Sequence, residues 1–181
     1  VVRNTWPGMT HAFWGDKDRY FGTYWDRWPD TWVHGDLAQI DGDGYWHIRG
    51  RSDDTIKVAG RRVGPAEIES ALVADPQISE AAVIGVPHPE KGSVIVAFVT
   101  LKRTGQFDSA SAIASVTKLV GKAMIPAAIV PVDGLPKTKN GKIMRRAIRS
   151  RYLGQPAGDM SALDAATPLD LIPVADPAAT A

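Results

Sequence analysis

A compact α/β unit is predicted over residues 53–153, and three observations predict it. Short runs rich in β-branched residues (81–86, 93–101, 127–132) alternate with segments whose apolar residues recur at helical spacing. Gly, Pro, Asn and Asp gather at the junctions between them. Composition also breaks near residue 46: all six Trp and three of the four Tyr lie at or before Trp46, so residues 1–52 form a different structural unit.

The elements follow in order. Segments 33–40 and 45–50 are strand-like around an Asp-Gly-Asp-Gly turn at 41–44, which predicts a hairpin. Residues 55–63 read as a second, shorter hairpin with Gly60 near its turn. Gly64-Pro65 opens a helix with Ile68, Ala71 and Leu72 on one face, and Asp75-Pro76 ends it. AAVIGV and SVIVAFVTL are strands joined through Pro87-His88-Pro89. Asp108 or Ser109 caps a second helix with Ile113, Val116 and Val120 inward. AAIVPV is a third strand, followed by a loop and a last helix with Ile143, Met144, Ala147 and Ile148 at helical spacing. From residue 154 the chain is rich in Ala, Pro and Asp without apolar periodicity, which predicts a disordered tail over 154–181.

Composition narrows the chemistry. A formal charge of +1 on 181 residues gives no global pull toward nucleic acid or membrane. The absence of cysteine removes disulfides, thiolate nucleophiles and cysteine metal sites, and fits a reducing, cytoplasmic setting. No apolar run reaches membrane-spanning length. The chain begins Val-Val-Arg, and it reads as a piece of a longer protein.

The segment PKTKNGKIMRR at 136–146 carries the sharpest functional signal. Pro136 fixes its own φ and Asn140-Gly141 marks a turn, so Lys142 stands where loop becomes helix. A lysine so placed delivers a mobile positive charge to an anionic reacting group. A solvated basic turn is the alternative. Seven basic residues in fifteen between 137 and 151 also admit a phosphate-tracking, nucleic-acid-binding surface.

Three segments in order, WVHGD (32–36), GRSDDTIKVAGRRVGPAEIES (50–70) and LPKTKNGKIMRR (135–146), resemble the acyl-CoA synthetases of the adenylate-forming superfamily, most closely the AMP-forming acetyl-CoA synthetase branch. The resemblance runs over nearly all of residues 6–153. It implies a small C-terminal domain at 53–153 with a mainly antiparallel sheet of about three strands, helices and a hinge hairpin. Residues 1–52 would then be the incomplete, β-rich end of a large N-terminal domain. It also implies a ligase that joins a carboxylic acid to CoA through an acyl-adenylate, using ATP, CoA and Mg2+ carried with ATP. Acetate or another short carboxylate is the implied acid. The missing N-terminal domain is the implied protein partner, with neither nucleic acid nor membrane involved.

Carried over position by position, the resemblance gives Lys142 the catalytic role of bridging carboxylate and α-phosphate, and makes it an acetylation site. Asp36 and Arg51 match ribose contacts and Arg62 a contact near the nucleotide phosphates. Asp53 matches the hinge between the two domains, and Ala59 and Gly60 border the CoA path. A family cation site falls on Val73, Asp75 and Ile78, largely through backbone oxygens. Several positions depart from the family pattern: His34 stands where Thr is common, Ala59 where Ser is common, and Asp75 where His is usual. An arginine that meets the CoA nucleotide aligns near Thr117, with Lys118 and Lys122 as substitutes. Arg145, Arg146, Arg149 and Arg151 are expected on the outer face of the last helix. The phosphate loop and acyl pocket of the family are absent from this sequence, so the chain by itself is expected to be inactive. A carrier-protein-loading adenylation domain and a non-catalytic remnant are the neighbouring alternatives.

Overall fold

A computed structural model describes residues 1–102 and 107–175, apart from the side chain of Arg49. The chain forms two compact units, Val1–Asp53 and Asp54–Ala181.

In the first unit, helix α1 (Lys17–Tyr24) starts where the Asp16 carboxylate accepts the Arg19 amide at 3.1 Å. Sequence reading did not predict this helix. Its apolar positions are aromatic and irregularly spaced, and only Tyr20 is buried. The Tyr20 hydroxyl donates to the Thr10 carbonyl, and Tyr24 stacks on Trp32 with ring centroids 5.1 Å apart. Strands β1 (Asp36–Ile40) and β2 (Trp46–Arg51) pair antiparallel as the 41–44 turn predicts. Asp41 builds that turn by accepting the amides of Asp43 and Tyr45 at 3.0 and 2.9 Å. His47, 2.8 Å from its other oxygen, together with those amides holds the carboxyl below its ordinary range.

The second unit begins with the short hairpin β3 (Ile56–Val58) and β4 (Arg61–Val63). Helix α2 (Pro65–Val73) follows, with Pro65 in its first turn and Ile68, Ala71 and Leu72 buried. Strands β5 (Ile78–His88) and β6 (Gly92–Leu101) form a long antiparallel pair. Helix α3 (Ser109–Leu119) starts at Asp108, which accepts the Ala110 amide at 2.9 Å. It returns the chain through a 3-10 turn (Lys122–Met124) to β7 (Ala128–Pro131) on the far edge of β6. β6 and β7 therefore run parallel, as a strand–helix–strand crossover requires. The sheet is antiparallel over its long pair and parallel over its short one. Helix α4 (Arg145–Tyr152) comes last, with a second 3-10 turn at Leu169–Leu171.

Period-two alternation gives the sheet two buried faces. Ala81, Val83, Ile95, Ala97 and Val99 point toward α2, α3 and the β3–β4 hairpin. Ala82, Ile84, Val86, Val96 and Phe98 point toward Leu135, α4 and Ile172. The second layer corrects one expectation. The segment read as disordered from residue 154 is ordered through Ala175, and Ile172 is fully buried against Phe98's face of the sheet. One well-placed apolar residue docks a segment whose composition shows no periodicity. Residues 176–181 lie outside the described residues.

Candidate functional site

Lys142 sits on a loop whose backbone is tied by several hydrogen bonds. The Pro136 carbonyl accepts the Met144 amide at 2.9 Å, and the Thr138 amide donates to the Lys142 carbonyl at 2.8 Å. The Gly141 amide reaches the Thr138 carbonyl at 2.7 Å, and the Lys142 amide reaches Thr138 Oγ1 at 3.2 Å. Gly141 adopts φ +78°, a left-handed conformation that explains the Asn-Gly pair. Thr138 thus clamps both backbone groups of Lys142 while the lysine side chain stays exposed. Rigid backbone and a free amine are what a deliverable charge needs.

Of the arginines after it, Arg146 is exposed as expected, while Arg145, Arg149 and Arg151 turn back onto the chain. Arg145 Nε and Nη2 form a fork on Glu69 at 2.7 and 2.5 Å, and Glu69 also accepts the Val83 amide at 2.9 Å. That pairing raises the pKa of Arg145 above its ordinary value, against the opposing effect of burial. Arg149 donates to the Gly85 carbonyl at 2.9 Å and Arg151 to the Ile172 carbonyl at 3.2 Å. Lys137 pairs with Glu80 at 2.5 Å. Arg145, Arg149, Arg151 and Lys137 are therefore occupied within the chain and do not form a row of open cations for a phosphate backbone to track. Glu69 and Glu80, the two acids that commit two of them, are the residues sequence reasoning missed. A single Glu on an apolar helix face was the only signal.

Asp36, Arg51 and Asp53 come together in the first unit. Strand register sets Asp36 opposite Arg51. Arg51 Nε contacts Asp53 at 3.0 Å, while Nη1 donates to the His34 carbonyl at 3.0 Å and lies 3.5 Å from Asp36. His34 Nε2 stands 2.8 Å from the other oxygen of Asp36. Gly35 permits this crossing: with φ +89°, it leaves room that a side chain would lose, since a Cβ there would meet the guanidinium at 2.8 Å. Asp36 is a partly covered carboxylate with the Arg51 guanidinium on one side and the His34 imidazole on the other, able to accept from vicinal hydroxyls.

The β3–β4 turn holds Ala59 at φ +46° and Gly60 at φ +82°, two consecutive left-handed residues as a two-residue hairpin demands. Ala59 is the strained member, and its amide donates to the Lys91 carbonyl at 3.2 Å. Across the same hairpin Arg62 stands opposite Lys57. Like charges directly opposed destabilise a strand pair, and an anion between them relieves the repulsion.

At Val73, Asp75 and Ile78, where the resemblance puts a cation site largely on backbone oxygens, the Asp75 carboxylate is taken up within the chain. Asp75 is fully buried, with one oxygen accepting the Gln77 amide at 2.9 Å and Gln77 Nε2 at 3.2 Å, and the other accepting Ser111 Oγ at 2.5 Å. Burial alone would raise its pKa, but the hydrogen bonds from Ser111 and Gln77 prevail and lower it. The Asp75 carbonyl accepts the Ile78 amide, and the Ile78 side chain is buried. Asp75 fastens the end of α2 to the start of α3. Among the described residues no group of three or more His, Cys, Asp or Glu could hold a metal ion. Among them also, no helix is long and apolar enough to cross a membrane.

Known proteins bear on this geometry directly. The model of the AMP-binding enzyme C-terminal domain matches residues 67–142, ending on Lys142. The acetyl-coenzyme A synthetase of Methanothrix soehngenii is 47% identical over 183 residues, covering 96% of this chain and 27% of that protein. That of Deinococcus radiodurans is 46% identical, covering 94% of this chain and 26% of its own length. Among solved structures, acetoacetyl-CoA synthetase from Streptomyces lividans superposes with a TM-score of 0.80 at 30% identity, over 94% of this chain and 26% of that one. ATP-bound MatB from Rhodopseudomonas palustris gives a TM-score of 0.65 at 33% identity, over 75% of this chain and 26% of its own. The chain spans about a quarter of the length of the relatives it matches. The chain belongs to the adenylate-forming enzymes, as a C-terminal part of the acetyl-CoA synthetase type that contains the AMP-binding enzyme C-terminal domain.

Proposed function

We propose that this chain supplies the hinge and the catalytic-lysine lid of an AMP-forming ligase that joins acetate, or another short carboxylate, to CoA. The observation that carries the reading is Lys142: an exposed amine on a loop whose backbone is locked by Thr138. It is supported by relatives that are acetyl-CoA synthetases over almost the whole chain.

In the first half-reaction a carboxylate oxygen attacks the α-phosphorus of ATP. The bond from that phosphorus to the bridging oxygen breaks, and pyrophosphate leaves. Lys142 spans both anions and offsets the negative charge that grows between them. In the second, the CoA thiol attacks the acyl carbonyl, AMP leaves, and the thiol proton passes to solvent. Asp36 accepts the ribose hydroxyls, Arg51 orients Asp36 and shares that contact, and Arg62 faces the nucleotide phosphates. Asp53 absorbs the backbone rotation between the half-reactions, and Ala59-Gly60 lets pantetheine pass close to the backbone. Mg2+ travels on the phosphates of ATP. Acetylation of Lys142 removes its charge and with it the first half-reaction.

The test uses this chain joined to the N-terminal portion of its enzyme. Lys142→Ala should lower pyrophosphate release from acetate and ATP by roughly 100-fold or more, the scale of removing one preorganised charge. Thioester formation from supplied acetyl-AMP should persist. Equal loss of both steps would remove the assigned role. The 181-residue chain alone should release no AMP from acetate, ATP and CoA, and robust release would overturn the reading of it as a lid without an acyl pocket.

A further inference from the structure

The lysine loop has a second partner, on its outer edge. The extended stretch 137–139 turns its inner edge toward Lys142 and Ile143, through the isolated Lys137–Ile143 bridge and the Thr138 clamp. Its outer edge pairs with the segment after α4. The Lys139 amide donates to the Ala162 carbonyl at 3.0 Å, and the Asp164 amide to the Lys137 carbonyl at 2.8 Å, flanking a Thr138–Leu163 bridge. The Lys137 amide donates to Thr167 Oγ1 at 3.1 Å. A two-stranded hairpin is marginal in water, and a third strand is what makes such a unit persist.

The far end of this segment is fixed independently. Ile172 is fully buried in the layer that holds Phe98 and Ile148, and its carbonyl accepts Arg151. The Ala175 amide donates to the Tyr152 carbonyl at 2.7 Å, and Leu171 lies over Gly134, where an added Cβ would come within 3.1 Å of it. Between those anchors, Asp164 accepts the Ala166 amide at 3.0 Å and turns the chain so that Thr167 meets Lys137. The matched family domain ends at residue 142, so the segment lies wholly beyond it.

We propose that residues 160–172 are a positioning strap for Lys142: they pair with the free edge of the lysine loop, plug into the core through Ile172, and hold the loop in the geometry that presents the amine. The strap touches no substrate; its effect on the reaction passes through the backbone of 137–142. It rests on the reading of Lys142 given above, and two readouts separate the two claims.

The experiment uses the chain with its N-terminal portion and three variants. Thr167→Val removes the acceptor for the Lys137 amide at nearly constant shape, Thr167→Ser keeps it, and Ile172→Ala loosens the plug. Amide hydrogen exchange in 137–142 should quicken in Thr167→Val by up to about tenfold, the scale of one hydrogen bond. Exchange in 81–86 should not change. Pyrophosphate release should fall several-fold, while thioester formation from acetyl-AMP stays level. Thr167→Ser should restore both, and Ile172→Ala should act in the same direction as Thr167→Val. Unchanged exchange in 137–142 in Thr167→Val overturns the strap whatever the activity. Quickened exchange with unchanged adenylation, in an enzyme that loses adenylation in Lys142→Ala, also overturns its positioning role. If Lys142→Ala itself leaves adenylation intact, the reading of the lysine fails, and the strap's role in the reaction fails with it.

Discussion

The two units of this chain solve the problem of apolar surface in opposite ways. In the second, one sheet buries both faces, and Phe98, Ile148, Leu135 and Ile172 are wholly covered. In the first, the aromatic-rich one, only Met9 and Tyr20 are buried hydrophobics among the described residues. Trp46 stands opposite Ile40, and Ile48 opposite Ala38, so one face of the β1–β2 hairpin is apolar and open. Among the described residues, no acceptor meets the buried indole N–H groups of Trp25 and Trp32. Large aromatics do not make a core by number; a second layer must lie over them. The lysine loop belongs to the unit that has its layers, while the Asp36–Arg51 cluster belongs to the one that lacks them.

The sharpest way to break this contrast is to truncate one large side chain in each unit. Phe98→Ala removes a ring buried between β6 and α4, beside Tyr152 at a centroid distance of 5.3 Å. It should cost roughly 3–5 kcal/mol in denaturant unfolding of the chain. Trp46→Ala, at a side chain left 69% exposed, should change stability by less than about 0.5 kcal/mol. Comparable losses at the two positions would mean that the hairpin face is covered in solution.

What the sequence made legible follows the same division. Strands 81–86 and 93–101 were plain because a sheet buried on both faces needs an unbroken apolar run, and helix α2 because Pro65 and the spacing of Ile68, Ala71 and Leu72 are local signals. The turn around Asn140-Gly141 was equally local, and so was the place of Lys142 beside it. Asp36, Arg51 and Asp53 were reached only through family resemblance, since strand register and not spacing brings them together. Contacts distant in sequence stayed hidden. Glu69 lies 76 residues from Arg145 and Glu80 lies 57 from Lys137. The strap was missed because its hold depends on Ile172 and a few backbone bonds, which composition does not record.

Asp75 offers a middle-sized test inside the well-layered unit. Its folded pKa is lowered: burial works against the charge, but Ser111 and Gln77 stabilise it more. A depressed carboxyl contributes stability that is present above the unfolded pKa, about 3.9, and is lost as pH falls through the lower folded value. Melting temperature should therefore drop as pH is taken from about 5 to below 4. Asp75→Asn should be less stable at pH 7 by roughly 1–3 kcal/mol, as a charged acceptor of hydrogen bonds is lost. Its melting temperature should also fall less across the acid range than that of the parent. An identical acid slope in the variant would show that other carboxyls govern the transition.

A small effect on folding is also expected at a residue whose functional reading is among the strongest in its unit. Arg51 is 41% exposed and its ion pairs to Asp36 and Asp53 are half solvated, so Arg51→Ala should cost under about 1 kcal/mol of stability. Its removal nonetheless takes away the donor that crosses Gly35 to reach Asp36 and the His34 carbonyl. If Asp36 accepts the ribose hydroxyls, the variant joined to its N-terminal portion should raise the KM for ATP several-fold at nearly unchanged melting temperature. Gly35 would then be an open lane for the guanidinium, kept for binding. A variant that loses several kcal/mol and binds ATP normally would make Arg51 a structural clasp, and would place the first unit's stability in the cluster that its aromatic residues fail to supply.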